Sequence, residues 1–401
     1  MRIAFLNAYG NGSTGRIVDQ LKLMCERNGD TVISYYARES CQRNDQTTVR
    51  TLNKFDFYID GLFTRIFDNH GLNSWWSTRS LIRGLRKFSP DIVHIHNLHG
   101  YWINYPMLFD YLKDSGVRVV WTFHDCWHIT GHCTHFDFIG CNKWKTQCHN
   151  CQQLKEYPSS SFCDGSRRNF LRKKECFCSI PKKMMTIVTP SEWLGLKVKE
   201  SFLGGYNIKV INNGIDTSIF NPSKDTTLRN NILREGYKHI ILGIAATWNE
   251  RKGLSDIIEV AKIHNDWFFV VIGSIPECSN VDVNHVNIKH INRTENISVL
   301  RDWYSCADVF VNPTLEDTYP TTNLEAIACG TPIVTYATGG SEEIVRKSGF
   351  GEVTKERNSK CLESSIIKVL SQNYTVAEDF NLDAKQKFAE YMNLYNQLLK
   401  R

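Results

Sequence analysis

The sequence predicts an α/β protein built of two doubly wound, parallel-sheet domains, and three observations point there. Arg2 to Ala8 (RIAFLNA) is a short apolar run, followed by Gly10, Gly12, Ser13, Thr14 and Gly15 and then by IVDQLKLMCERNG at helical spacing. Strand, glycine loop and helix in that order open such a domain. A second series of short apolar runs alternating with helical segments begins at HIILGIAAT, after the polar stretch NPSKDTT, which reads as an interdomain linker. Finally, 401 residues are too many for one ordinary core and suit two.

Composition narrows the class. Hydrophobic residues at 42% and charged residues at 22% are those of a soluble globular protein. A net charge of +6 is modest for this length and gives no reason to expect nucleic acid as a partner. No run of about 18 apolar residues exists, and MRIAFLNAYGNG lacks the basic start and long apolar run of a signal peptide, so a cytoplasmic location is expected. In a reducing compartment the 14 cysteines read as thiols or metal ligands before disulfides.

In the first half, Thr31 to Tyr36 is a strand by its β-branched and aromatic content. DIVHIH at 91–96 and VRVVWTFH at 117–124 are buried strands that end in histidines, which puts His96, His99, His124 and Asp125 at carboxyl ends, where parallel sheets bind ligands. His94 reads as a hydrogen-bonded structural residue, and His124, beside Asp125, as a ligand contact. The glycine loop does not have dinucleotide-fingerprint spacing, so a tight turn and a phosphate contact both fit it.

Between Cys126 and Cys178 lie eight cysteines. Cys133, Cys141, Cys148 and Cys151 have the spacing of a four-thiolate structural zinc knot, and a cluster of buried free thiols explains them as well. The basic stretch from Ser166 to Met185, with Arg167, Arg168, Arg172, Lys173, Lys174, Lys182 and Lys183, is either a solvated face or a surface for anionic lipid or a pyrophosphate-linked acceptor. TIVTP leads into SEWLGLKVKESF, with Ser191 as its helix cap, and KVINNGID is a further strand and turn.

The second half centres on VFVNPTLEDTYPTTNLEAIACGTPIVT at 309–335. Here a strand and a polar loop precede a helix expected to start near Thr321, with Pro320 in its first turn, Gly330 at its end and Pro332 blocking continuation. Its unpaired N–H groups and positive dipole end suit an anion such as a diphosphate. Glu316 and Asp317 stand before the loop residues Thr318, Tyr319, Thr321 and Thr322, and Glu325 stands one turn into the helix. A charged helical tail runs from about residue 376.

With these residues in view, the chain resembles the retaining glycosyltransferases of the GT-B fold, specifically glycosyltransferase family 4. The glycine loop, His124–Asp125, VINNGID, RKGL at 251–254 and DVFVNP…LEAIACGTPIV occur in the family's order along nearly the whole length. The resemblance implies two Rossmann-like domains facing across a cleft. An acceptor-side domain would occupy 1–190, with a cysteine-rich insertion at about 126–178. A donor-binding domain would occupy 191–375, and 376–401 would form a helix packing back on the first.

It also implies a nucleotide-diphosphate sugar donor, UDP-hexose before GDP-sugars, and no metal for the chemistry. The acceptor would be a glycan or lipid-linked oligosaccharide in capsule, colanic-acid-like or lipopolysaccharide synthesis, at the anionic inner face of the cytoplasmic membrane. The family's Glu-x7-Glu pair falls on Asp317 and Glu325, so Glu325 would take the ribose hydroxyls and Asp317, or its neighbour Glu316, the donor sugar. Lys252 and Arg251 would hold the diphosphate, the usual arginine five residues before the lysine being Thr247 here. His124 and the loop Gly12, Ser13, Thr14 and Gly15 would contact the donor from the first domain. Asp317, Glu325, His124 and Lys252 would form the reaction centre, with no side-chain nucleophile. A non-catalytic nucleotide-sugar-binding protein and a GT-B epimerase are the competing readings.

Overall fold

In a computed structural model of the chain, residues 1–38, 45–277 and 281–400 are described. They fold as two compact units: Met1–Ile211 joined by the tail from Phe388 onward, and Asn212–Lys387.

The first unit has one parallel sheet. Its described strands are β1 (Arg2–Tyr9), β2 (Thr31–Arg38), β3 (Thr48–Arg50), β4 (Ile92–Ile95), β5 (Arg118–Thr122), β6 (Met185–Thr189) and β7 (Asn207–Val210), in the spatial order β3-β2-β1-β4-β5-β6-β7. The helices α1 (Gly12–Arg27), α2 (Lys54–Phe67), α3 (Trp75–Phe88), α4 (Tyr105–Ser115), α5 (Ser166–Phe177) and α6 (Glu192–Glu200) connect them. With helices over both faces, β4 and β6 are buried at every position, which is why they read as unbroken apolar runs. The boundary between units falls after Ile211 and not near residue 190, because β7 pairs in register with β6 and completes the first sheet.

The second unit repeats the plan. Strands β8 (His239–Thr247), β9 (Trp267–Ser274), β10 (Ile288–Ile291), β11 (Val309–Asn312), β12 (Ile333–Thr335) and β13 (Gly351–Val353) stand in the order β10-β9-β8-β11-β12-β13. Around them lie α7 (Thr227–Arg234), α8 (Leu254–Ile263), α9 (Ile297–Cys306), α10 (Thr321–Ala328), α11 (Gly339–Ser348) and α12 (Ser359–Leu370).

The final helix α13 (Ala384–Leu399) begins in the second unit, and its later residues belong to the first. Phe388, Tyr391, Leu394, Tyr395 and Leu398 are buried, and the Tyr395 hydroxyl is 2.6 Å from His94 Nδ1. Among the described residues no helix is long and apolar enough to cross a membrane.

In each sheet the strand order reverses once, between β1 and β4 and between β8 and β11. Ligands of open α/β sheets bind beyond the carboxyl ends of the strands at such reversals. The loops after β1, β4, β8 and β11 are those that carry the glycines, the histidines, the RKG turn and the 313–320 segment.

Candidate active site

In the second unit the chemistry-bearing loop follows β11. The helix begins at Thr321, with Pro320 in extended conformation as its cap residue, and no side chain caps its N-terminus. Gly330, at φ +83°, ends it in the left-handed conformation that glycine tolerates. The N-terminal turn of α10 therefore presents its dipole end to whatever approaches the loop.

The RKG turn packs against this loop from below. Leu315 N donates to the Arg251 carbonyl at 2.7 Å, and the Arg251 guanidinium returns a bond to the Glu316 carbonyl. Gly253 is at φ +72°, and a Cβ there would stand 2.2 Å from the Pro313 carbonyl oxygen, so only glycine lets the turn approach so closely. Arg251 thus anchors loop backbone, while the next residue, Lys252, places its ammonium 2.7 Å from Asp317 Oδ2.

The expected carboxylates differ in environment. Glu316 is almost fully buried, whereas Asp317 is about one-fifth exposed at its side chain and paired with Lys252. Glu325, buried in α10, accepts a 2.9 Å hydrogen bond on Oε2 from the hydroxyl of Tyr304. Tyr304 has no exposed surface, so it holds this carboxylate in one orientation. Thr318 and Tyr319 are buried and Thr321 and Thr322 half-buried, and Asn213 Nδ2 donates to the Tyr319 carbonyl at 3.3 Å. At the former arginine position, the Thr247 hydroxyl pairs with that of Ser274 at 3.0 Å.

Several supporting residues escape a sequence reading. Asn312, Asn323, Ser341 and Thr335 form a buried chain of hydrogen bonds of 2.6–2.9 Å beneath the loop. Gly340 N donates to the Asp317 carbonyl at 2.9 Å, and a Cβ on Gly340 would lie 2.0 Å from the Thr318 carbonyl oxygen. Gly339, at φ +48°, has the same relation to Asp317, at 2.1 Å. The adjacent pair GG at the start of α11 was the available signal for this close approach.

In the first unit, Asn11 caps α1 by accepting from Gly12 N at 2.7 Å. A Cβ on Gly15 would stand 2.8 Å from the Gly10 carbonyl carbon, so the glycine loop is tight. His124 Nε2 lies 2.9 Å from His96 Nδ1, with the two rings stacked. Burial pushes the His124 imidazolium down to about 4, so the ring is neutral near pH 7. His94 sits between Tyr395 and Thr122, at 2.6 and 2.8 Å, in a structural position. Asp125 bonds His99 at 2.7 Å; burial alone would raise its carboxyl, but His99 and His128 hold it well below the usual range.

The cysteine segment corrects one expectation. Cys133, Cys141, Cys148 and Cys151 do line one small cavity, of about 20 Å³. Yet among the described residues no three metal-capable side chains come together closely enough to hold an ion, so a structural zinc is not supported. Cys133, Cys148 and Cys151 have neighbours within the protein instead. Cys148 Sγ accepts from Gly131 N at 3.3 Å, and the neighbouring free thiols Cys133 and Cys151 act on each other, which holds the Cys151 thiol down to about 7 and, with burial, pushes Cys133 up. The segment also supplies Trp127, Phe136 and Trp144 to the core of the first unit.

The basic stretch divides as well. Arg167 and Arg168 are exposed, but Lys173 is buried, with its ammonium 2.7 Å from the Trp127 carbonyl and 3.5 Å from the centre of the Trp127 ring.

Comparison with known proteins agrees with this geometry. The glycosyltransferase family 4 model matches residues 14–219, more than half of the chain, and the model for glycosyl transferases group 1 matches 225–390. A protein of Escherichia coli (strain K12) named as a colanic acid biosynthesis glycosyl transferase, WcaC, is 25% identical over 333 residues, 78% of each chain. Among solved structures, sucrose-phosphate synthase from Thermosynechococcus elongatus superposes at TM-score 0.70 with 14% identity, covering 100% of this chain and 99% of that one. Anabaena HepE in complex with UDP and glucose superposes at TM-score 0.60 with 13% identity, covering 99% of this chain and 95% of that one. With two Rossmann-like parallel sheets and both halves matched, the chain is a glycosyltransferase of the GT-B fold and belongs to glycosyltransferase family 4.

Proposed function

We propose that this enzyme moves a hexose, with retention at the anomeric carbon, from a UDP-sugar to a hydroxyl of a glycan or lipid-linked oligosaccharide in bacterial surface polysaccharide assembly. The observation that carries the reading is the loop after β11, where the Lys252–Asp317 pair and Glu325 flank the uncapped N-terminus of α10. Relatives favour the finer choices: HepE is described with UDP and glucose, and WcaC is named for colanic acid synthesis.

In this reading, the oriented Glu325 carboxylate accepts the two ribose hydroxyls. Lys252 and the N-terminal turn of α10, through Thr321 and Thr322, stabilise the charge that grows on the diphosphate as the bond from the anomeric carbon to the phosphate oxygen breaks. Asp317 receives a donor-sugar hydroxyl and meanwhile holds Lys252 in place. The acceptor oxygen bonds to the anomeric carbon on the face the diphosphate is leaving, and its proton passes to the departing diphosphate, so no protein base is required. Arg251 and Glu316 shape the loop, while His124, as a neutral ring, and the Gly12, Ser13, Thr14 and Gly15 loop contact the donor.

The test is thermal stabilisation by UDP, GDP and their sugars, followed by turnover with the donor that binds. A saturating ligand raises stability by about 3–4 kcal/mol. Stabilisation by UDP compounds, with transfer lost in Glu325→Ala and Lys252→Ala, is the expected result. Binding without any turnover would favour a nucleotide-sugar-binding protein instead.

A further inference from the structure

Helix α2 is inside out. Its buried residues are Asp56, Asp60 and Thr64, four residues apart on one stripe, whereas Phe55, Tyr58, Leu62, Phe63 and Phe67 are exposed. Tyr58 has 70% of its surface open and Phe55 57%, values that a soluble helix reserves for polar side chains. The inward acids are tied to neighbouring groups: Asp56 accepts on Oδ2 from Ser77 N near the start of α3, and Asp60 accepts from Ser74 Oγ at 3.0 Å and Asn73 Nδ2 at 3.2 Å. This bonding locks the aromatic stripe outward.

The patch extends beyond α2. Trp75 and Trp76, about half exposed, open α3, and the Trp76 and Phe55 rings lie 5.5 Å apart. At the other end Ser161 N donates to the Arg65 carbonyl at 2.8 Å and Arg168 to the Phe67 carbonyl at 2.7 Å. That brings Phe162, 79% exposed, and the exposed Arg167 and Arg168 against the end of the helix, while Lys54 and Arg65 are exposed on α2 itself. The nearby acid, Asp164, accepts from Cys151 N and Ser166 N. The face is therefore aromatic in the middle and cationic at its edges.

We propose that this face, α2 with the start of α3 and the 161–168 segment, seats the enzyme on an anionic lipid bilayer. Phenylalanine, tyrosine and tryptophan rings enter the boundary between acyl chains and headgroups, and the cations meet lipid phosphates. Charge complementarity and the enrichment in tryptophan and tyrosine select a lipid surface over water. The proposal rests on the reading of a membrane-linked acceptor, and it moves the contact from the stretch ending at Lys183 to α2.

The test is co-sedimentation of the full chain with vesicles of phosphatidylcholine containing about one-third phosphatidylglycerol. We expect binding that weakens with salt, and a loss of about tenfold or more in partitioning for Tyr58→Ser/Phe63→Ser/Trp76→Ser. Because those side chains are exposed, circular dichroism and UDP stabilisation should be unchanged in that variant. Brominated lipid should quench wild-type tryptophan emission and lose effect in Trp75→Phe/Trp76→Phe. Unaltered vesicle binding by the triple variant overturns the proposal, as does failure of the wild type to bind. Concentration-dependent self-association that the triple variant abolishes, without vesicle binding, would assign the face to a second copy of the chain. Vesicle binding without UDP stabilisation would leave this surface standing and defeat the donor reading alone.

Discussion

The Lys252 ammonium lies 2.7 Å from the Asp317 carboxylate, both about one-fifth exposed, where the RKG turn packs against the loop after β11. The pair places a partly solvated cation against the loop that leads into α10. A pair of this exposure contributes only about 0–1 kcal/mol to stability.

Asp317→Ala and Lys252→Ala should therefore separate function from folding. We expect transfer to fall about a hundredfold or more, the scale of losing one charge-stabilising group, while the melting temperature moves by no more than about 3 °C. Steady-state kinetics and thermal melts on the same samples check this. Asp317→Glu should recover part of the activity if position 317 carries the donor-sugar contact, and Glu316→Gln should leave that contact in place.

Tyr304→Phe removes the hydroxyl that donates to Glu325 Oε2 and leaves the ring in place. Its effect should appear as a several-fold rise in donor KM with little change in kcat, because the carboxylate remains but is less well oriented. Glu325→Ala should weaken UDP binding further, by about 10- to 100-fold for the loss of charge-assisted hydrogen bonds. Steady-state kinetics with the donor measures the first effect and isothermal titration with UDP the second.

Gly340→Ala inserts a methyl that would stand 2.0 Å from the Thr318 carbonyl oxygen, so loop or helix must move. A cost of about 1–3 kcal/mol in denaturant unfolding is expected, together with weakened UDP binding if the displaced backbone holds the donor as proposed. A melt shift with unchanged UDP affinity would show that the 317–319 backbone does not touch the donor.

Acid should destabilise the first unit in a defined window. Burial lowers the imidazolium of His94 to about 3 and that of His124 to about 4, below the ordinary value near 6.5. The unfolded chain then binds more protons than the folded one below pH 6.5. The stability of the neutral rings is complete above that pH and is lost as pH falls toward 4 and then 3. Each such histidine contributes a slope of about 1.4 kcal/mol per pH unit inside its window. Urea unfolding between pH 4 and 7 should show this slope, shallower in His94→Gln.

Much of the fold was legible because burial on both faces leaves a continuous apolar run, as in β4 and β6. The shape of the loop after β11 was legible because a proline start and a glycine stop have fixed roles at helix ends, so the helix start at Thr321 follows from the order of residues. The partners of those residues were not legible. Tyr304 is 21 residues from Glu325, and Lys252 is 65 from Asp317, so neither pairing is visible to a local pattern.

The sequence by itself determined the two parallel-sheet units and the loop after β11, because strand burial, helix capping and turn chemistry act over a few neighbouring residues. Only the tertiary structure decided that Arg251 binds loop backbone while Lys252 faces Asp317, and that Cys148 accepts from Gly131 N while the four cysteines do not gather around a metal among the described residues. It alone turned the acids of α2 inward onto α3 and its aromatic rings outward. Each of these depends on which distant backbone groups lie within hydrogen-bonding distance, and chain packing sets that distance.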